Sequence, residues 1–257
     1  MDILGTSELV IIVICVILAF VTYHKKLLNF SGAVAAFFMA LFIGFHGGAV
    51  LLFLLLIFLF SSFLATKYKF AYKEERGIQE GLKGERGWVN VLANGGVPVM
   101  VLLLKDGGPL LKTGFLHSEL VLALFVASVA AAASDTLASE MGMVSEKVYL
   151  ITDLKRVEPG VNGGVSLYGE IWAFIGSFYT FSVAQVTLYI FAAESVLPVP
   201  IFMIGVLIGF MSCQIDSLLG ATFERRGLMG KSMVNFTSIL ISIVVFGGIL
   251  WLTRIGY

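Results

Sequence analysis

Residues 117–140, HSELVLALFVASVAAAASDTLASE, decide the class of fold. The stretch is apolar over most of its length, and a helix that crosses a bilayer needs roughly 20 such residues. Its last third carries two carboxylates, Asp135 and Glu140. A backbone inside lipid must satisfy its own hydrogen bonds, which favours a helix. We therefore interpret this stretch as a transmembrane helix with a polar, functional end.

The composition of the whole chain agrees with a membrane protein. Of its 257 residues, 58% are hydrophobic and 13% are charged, whereas soluble domains carry about 25% charged residues. This excludes a soluble globular protein, a nucleic-acid binder and a disordered tail. The two cysteines lie in apolar runs and the three histidines are dispersed. The sequence thus predicts neither a disulfide framework nor a zinc site.

Hydropathy predicts an all-α, polytopic membrane protein with a single integral membrane domain over residues 1–257. We expect about eight transmembrane or partly broken helices. Gly47 and Gly48 are all that separates the second span from the third, so these two form either a tight helical hairpin or a broken helix. The predicted spans are 8–23, 29–46, 48–66, 88–105, 117–139, 164–191, 199–221 and 234–254.

Basic residues are concentrated in alternate loops, which hold 14 of the 17 lysines and arginines. These loops follow the first, third, fifth and seventh spans, while Lys105, Lys112 and Arg254 lie on the other side. The positive-inside rule places the four basic loops in the cytoplasm. Asp2 and Glu8 precede the first apolar run without a basic segment, so we expect neither a cleavable signal nor a transit peptide. We therefore expect a prokaryotic cell membrane, with the active face in the cytoplasm.

Four carboxylates lie in or at the ends of spans on the predicted cytoplasmic side: Asp135, Glu140, Glu170 and Asp216. Ionisable groups at such places are costly and mark function by default. One alone would pair with a loop cation, but four together favour a site. We predict Asp135, Glu140 and Asp216 as catalytic metal ligands. Because no histidine or thiolate accompanies them, they suit Mg²⁺.

Two Asp-containing segments are partly similar in sequence. Asp135-Thr136-Leu137 and Asp216-Ser217-Leu218 stand on predicted spans that run in the same direction. They hint at a parallel repeat of helix pairs.

A glycine-rich loop and several amides extend this predicted site. Residues 159–166, PGVNGGVS, suit a simple turn, but a glycine-rich loop before a helix also offers backbone N–H groups to an anion. Asn90 and Asn94, four residues apart, share a helix face. The predicted nucleotide- and phosphate-binding residues are Lys67, Arg86, Asn90, Asn94, Lys155, Asn162, Gly163, Gly164, Ser217, Arg225 and Asn235.

Four motifs, taken in order, carry a family resemblance. They are RGWVNVLANGG (86–96), ASDTLASEMG (133–142), VEPGVNGGVSLYG (157–169) and DSLLGATFE (216–224). Together they resemble the membrane family that contains plant phytyl-phosphate kinase and animal transmembrane protein 19, over roughly residues 30–250. The resemblance implies a multi-pass kinase that uses CTP to convert an isoprenyl monophosphate, phytyl or geranylgeranyl phosphate, to the diphosphate. Val161 stands where the family usually has Thr.

Three alternatives remain open from the sequence. A cytidylyltransferase that makes a CDP-lipid needs the same parts as the kinase. A small-solute transporter would hold its charges near the midplane, where Glu170 comes closest. An inactive scaffold is the third alternative, and the intact carboxylates argue against it. The expected partners are membrane lipids and the isoprenyl phosphate, without nucleic acid, and the sequence predicts no oligomeric state.

Overall fold

Helices dominate the computed structural model, which describes residues 5–79, 84–107, 118–191 and 196–253. Among these residues, five helices are long and apolar enough to cross a membrane, and two more are shorter apolar helices. The predicted helical membrane fold is confirmed. The helices are α1 (Thr6–His24), α2 (Phe30–Lys67), α3 (Phe70–Glu75), α4 (Trp88–Gly107), α5 (Ser118–Gly142), α6 (Leu167–Phe191), α7 (Val199–Leu219), a π-helix (Gly220–Glu224) and α8 (Lys231–Thr253).

Helix α2 is a hairpin of two arms that reverses at Gly48, where φ is 77° and ψ is 177°. Ala36 and Leu59 line one cavity, although a straight helix would hold them about 34 Å apart. Arg86 also joins the two ends of α2. Its carbonyl accepts the Asn29 N–H at 3.1 Å, and its guanidinium donates to the Thr66 hydroxyl at 3.2 Å. The second and third predicted spans therefore form a helical hairpin.

A substitution at Gly48 tests this turn. Gly48→Ala should destabilise the protein by about 1–3 kcal/mol, because its backbone angles belong to a region that side chains with a Cβ avoid. Thermal unfolding in detergent measures the effect. Gly248→Ala is the control, because no atom would lie within 4 Å of its Cβ in α8. Equal unfolding temperatures for the two variants would contradict a strained turn.

Helix α5 lies at the centre of the bundle and packs against α2, α4, α6, α7 and α8. Its Ala130–Ala133 run is fully buried. A Cβ on Gly176 of α6 would come within 2.8 Å of the Ala133 carbonyl, and one on Gly209 of α7 within 3.1 Å of Ala130. Small residues thus let the helix backbones approach closely, as in other membrane bundles.

The four basic loops meet at one end of the bundle, which we call the basic face. The backbone next to Leu28 bridges to Arg86, and the Lys73 ammonium reaches Glu140 at the end of α5. The charge of Arg225 also acts on Asp153. This grouping matches the alternation of basic loops along the sequence. Of the counted cations, Lys83, Lys112, Arg254 and the Lys105 side chain lie outside the described residues, as do positions 117 and 254 of the predicted spans.

A small antiparallel sheet between α5 and α6 was not expected. It consists of β1 (Val148–Leu150), β2 (Arg156–Val157) and β3 (Gly164–Val165), in the order β2-β1-β3. Strands of two or three residues are too short to show a period of two in the sequence. The sheet matters because β2 and β3 hold the two ends of the glycine-rich loop. The Gly163 carbonyl also accepts the Ile151 N–H at 3.0 Å.

Candidate active site

Asp135 and Asp216 meet at the basic face, beside the glycine-rich loop. Both line a cavity of about 120 Å³, which we call the carboxylate cavity. Asp135 lies near the end of α5 and Asp216 near the end of α7. Residues from the loop, α6 and α8 complete the walls, among them Asn162, Gly163, Gly164, Glu170, Ser217 and Lys231.

Helix α8 orients both aspartates. The Asn235 amide donates to Asp135 at 3.2 Å, and the Ser238 hydroxyl donates to Asp216 at 3.1 Å. The two carboxyl groups lie within hydrogen-bonding reach of each other, and the Lys231 ammonium interacts with the charge of Asp216. Carboxylates at this separation repel each other unless a proton or a cation lies between them. The pair is therefore suited to a bound cation.

The glycine-rich loop is packed against the turn that follows Asp216. Gly163 has φ of 78°, and a Cβ there would lie 2.5 Å from the backbone nitrogen and 2.6 Å from the Cα of Ala221. Ala221 belongs to the π-helix that continues α7. Such π-helical turns are rare and occur frequently at functional sites. Gly163 is therefore required both by its backbone angle and by this close approach.

We expect Gly163→Ala to separate the loop from Asp216. A displacement of about 1 Å at a reacting centre can cost about 100-fold in rate, so turnover should fall by at least that factor while the helices stay folded. Turnover and helix content by circular dichroism are the two measurements. Gly230→Ala is the control, because a Cβ at that position would have no atom within 4 Å. Unchanged turnover in Gly163→Ala would show that the glycine-rich loop does not belong to the active site.

Three charged residues of the carboxylate cavity, Glu170, Glu224 and Lys231, were not among the predicted ligands. Glu170 lines the cavity and accepts a hydrogen bond from the Gln214 amide. Glu170 could have been predicted as a site residue, because it is a carboxylate within a predicted membrane span. Lys231 is the last basic residue before the final span, and its sequence position alone did not separate it from the other loop cations.

Glu140 is not brought to the aspartate pair, which corrects the predicted set of three metal ligands. It lies 2.7 Å from the Lys73 ammonium and 3.6 Å from the Arg86 guanidinium, and it accepts the Thr66 hydroxyl at 2.7 Å. Five residues along a helix correspond to a rotation of about 140°, which turns Glu140 toward α2 and α3. Among the described residues, no three His, Cys, Asp or Glu side chains are grouped to hold a metal.

Three other predicted residues form a second group. Arg86, Asn90 and Asn94 line a separate cavity of about 70 Å³ between α4 and the arms of α2, which we call the hairpin cavity. The Asn94 amide donates to the Asn90 carbonyl at 2.9 Å. This group therefore lies apart from the carboxylate cavity.

The remaining predicted cations line neither cavity. Lys67 packs its ammonium over the rings of Phe63 and Phe70, and Arg225 is exposed. Lys155 is exposed and pairs with Asp153 at 2.9 Å. Their hydrogen bond lowers the pKa of Asp153 and raises the pKa of Lys155. We therefore see no structural reason to place Lys67, Lys155 or Arg225 against a phosphate in this arrangement.

The chain resembles known membrane proteins along most of its length. It is 28% identical to an uncharacterized membrane protein of Methanocaldococcus jannaschii over 91% of this chain and 90% of that protein. It is 30% identical to Protein PGR of Arabidopsis thaliana, covering 84% of this chain and 78% of that one. Protein VTE6, chloroplastic, of the same plant is 29% identical, with 85% and 64% covered. No solved structure matches the chain.

The family model described as integral membrane protein DUF92 matches residues 13–253. The resemblance expected from the four motifs is therefore confirmed at the level of the family. The chain belongs to the DUF92 family of integral membrane proteins, to which Protein PGR and Protein VTE6 are related.

Proposed function

We propose that the protein is a CTP-dependent kinase that converts an isoprenyl monophosphate, such as phytyl or geranylgeranyl phosphate, to its diphosphate at the cytoplasmic membrane face. The observation that carries the proposal is the pair of aspartates, Asp135 and Asp216, in one cavity with the glycine-rich loop. Phosphoryl transfer needs charge neutralisation and in-line positioning more than covalent help from the protein. The resemblance of the four motifs to the family that contains plant phytyl-phosphate kinase supports the same class.

The donor set of the carboxylate cavity fits Mg²⁺, which prefers oxygen ligands and keeps several waters. Asp135 and Asp216 would hold the ion, while Asn235 and Ser238 fix their orientation. Bound there, the ion would neutralise oxygens of the nucleotide triphosphate. Glu140 is not included, because its carboxylate is engaged by Lys73 and Arg86.

The chain's own groups have defined roles in this proposal. Backbone N–H groups at Asn162 and Gly163 would donate to phosphate oxygens, whereas the Gly164 N–H already donates to the Val161 carbonyl at 2.9 Å. The Lys231 ammonium would screen the phosphate charge. The acceptor is a phosphate monoester with a second pKa of about 6, so its oxygen is already a nucleophile near neutral pH. That oxygen attacks the terminal phosphorus of CTP, and the bond between this phosphorus and the departing CDP breaks. No strong general base is needed.

A product assay tests the function directly. Purified protein is mixed with Mg²⁺, geranylgeranyl or phytyl phosphate and each nucleoside triphosphate in turn, and products are identified by mass spectrometry. The kinase yields a lipid diphosphate and CDP, whereas a cytidylyltransferase yields a CDP-lipid and pyrophosphate. If no nucleotide is consumed with either lipid, the proposal fails. Solute flux into proteoliposomes without nucleotide would favour the transporter instead.

A further inference from the structure

Three cavities follow one another along α2, the hairpin cavity beside α4 and two apolar cavities beside α1. The hairpin cavity shares Ala36, Leu55 and Leu59 with a second cavity of about 40 Å³. The second cavity in turn shares Ala19 and Phe37 with a groove of about 410 Å³ whose other walls are apolar or aromatic. Neighbouring cavities thus have walls in common. We call the series the tail path, because its mostly apolar walls suit a hydrocarbon chain.

The hairpin cavity has a polar end with excess positive charge. Glu140 faces two cations, the Lys73 ammonium at 2.7 Å and the Arg86 guanidinium at 3.6 Å. Of these cations, Arg86 lines the cavity. Charges removed from water are costly unless they are compensated. An anionic group beside Arg86 would therefore complete this cluster.

Asn94 provides an independent indication of a polar occupant. It lines the hairpin cavity and is 6% exposed, and its side-chain oxygen has no hydrogen-bond partner. Unpaired acceptors that are buried this deeply are uncommon and call for an explanation. A hydrocarbon could not supply the missing hydrogen. A water held by a bound phosphate could do so.

We propose that the hairpin cavity binds the head of a prenyl monophosphate between Arg86 and Asn94, and that the tail path holds its hydrocarbon chain. The ligand class rests on the proposed function, but the position comes from the cavities themselves. In this resting position the acceptor lipid lies on the α2 side of α5, and its head must move to the carboxylate cavity, where the metal and the nucleotide would lie, before the attack can occur.

Equilibrium binding in detergent tests this position without catalysis. Labelled geranyl and geranylgeranyl monophosphates are titrated with EDTA present and nucleotide absent, and geranylgeraniol competes as the uncharged analogue. Ala36→Phe narrows the wall between the first two cavities, so affinity for the longer ester should fall at least about tenfold, with little change for the shorter one. Arg86→Gln should weaken both esters about tenfold and leave competition by geranylgeraniol unchanged.

The control and the contrary outcomes separate this inference from the kinase proposal. Ala49→Phe adds the same ring at an exposed position of α2 and should leave binding unchanged. If Ala36→Phe and Arg86→Gln bind both esters normally while Asp135→Asn does not, the lipid head lies in the carboxylate cavity and the inference is overturned. If the variants behave as expected but no nucleotide yields a diphosphate, the lipid site stands and the kinase proposal fails.

Discussion

Asp135→Asn is expected to abolish turnover while the protein stays folded. The substitution keeps the size of the side chain and an oxygen that can accept the Asn235 amide, which lies 3.2 Å away in the parent protein. It removes one of the two charges that would hold Mg²⁺. Loss of electrostatic stabilisation at a reacting phosphate costs at least about 100- to 1,000-fold in rate. Steady-state turnover of the lipid phosphate is the measurement.

A thermal measurement separates metal binding from folding in the same variant. With EDTA, Asp135→Asn should unfold at the parent temperature or above it, because the repulsion from Asp216 is relieved. Added Mg²⁺ should raise the unfolding temperature of the parent protein, since a ligand stabilises the state that binds it, but not that of the variant. Asp153→Asn, on an exposed loop carboxylate, is the matched control. Parent-like turnover in Asp135→Asn would show that this carboxylate does not hold the metal.

The aspartate pair could be predicted because charge inside an apolar run is conspicuous. Asp135 and Asp216 each stand near the end of a span, and the alternation of basic loops puts those ends on one side. The structure brings them into one cavity with the glycine-rich loop. What the sequence could not supply was rotation about the helix axis. Asp135 and Glu140 are predicted to bind the same metal, yet the angle of about 140° between them is wide enough for each to contact different helices.

The burial of Lys73 is a second feature that could not be predicted from the sequence. Residues 67–87 carry many charges among aromatic and aliphatic residues, which predicts an amphipathic stretch on the inner membrane surface, but the Lys73 side chain is fully buried. Its partner Glu140 is far away in the sequence, and nothing local indicates their contact. The α2 turn has a similar explanation. Two adjacent glycines permit both a broken helix and a hairpin, and packing against α1 and α4 decides between them.

Lys73→Met is the substitution from which we expect the largest loss of stability. The Lys73 ammonium lies 2.7 Å from Glu140, and it also donates to the Ala65 and Thr66 carbonyls at the end of α2, at 3.0 and 3.4 Å. Removing one partner of a buried ion pair costs about 3–5 kcal/mol, and we expect the lower end of that range because Arg86, at 3.6 Å, still compensates part of the Glu140 charge. Thermal unfolding in detergent should register a large decrease in midpoint temperature.

The double variant Lys73→Met/Glu140→Gln should recover part of this loss, because it also removes the Glu140 charge, which Arg86 at 3.6 Å compensates only in part. Lys155→Met is the control, since that side chain is 81% exposed and exposed pairs contribute about 0–1 kcal/mol. If Glu140 is structural, the double variant keeps the stabilisation by Mg²⁺ that Asp135→Asn loses. If the double variant folds but Mg²⁺ no longer raises its unfolding temperature, Glu140 is a metal ligand after all. The ion pair with Lys73 would then exist only in the metal-free protein.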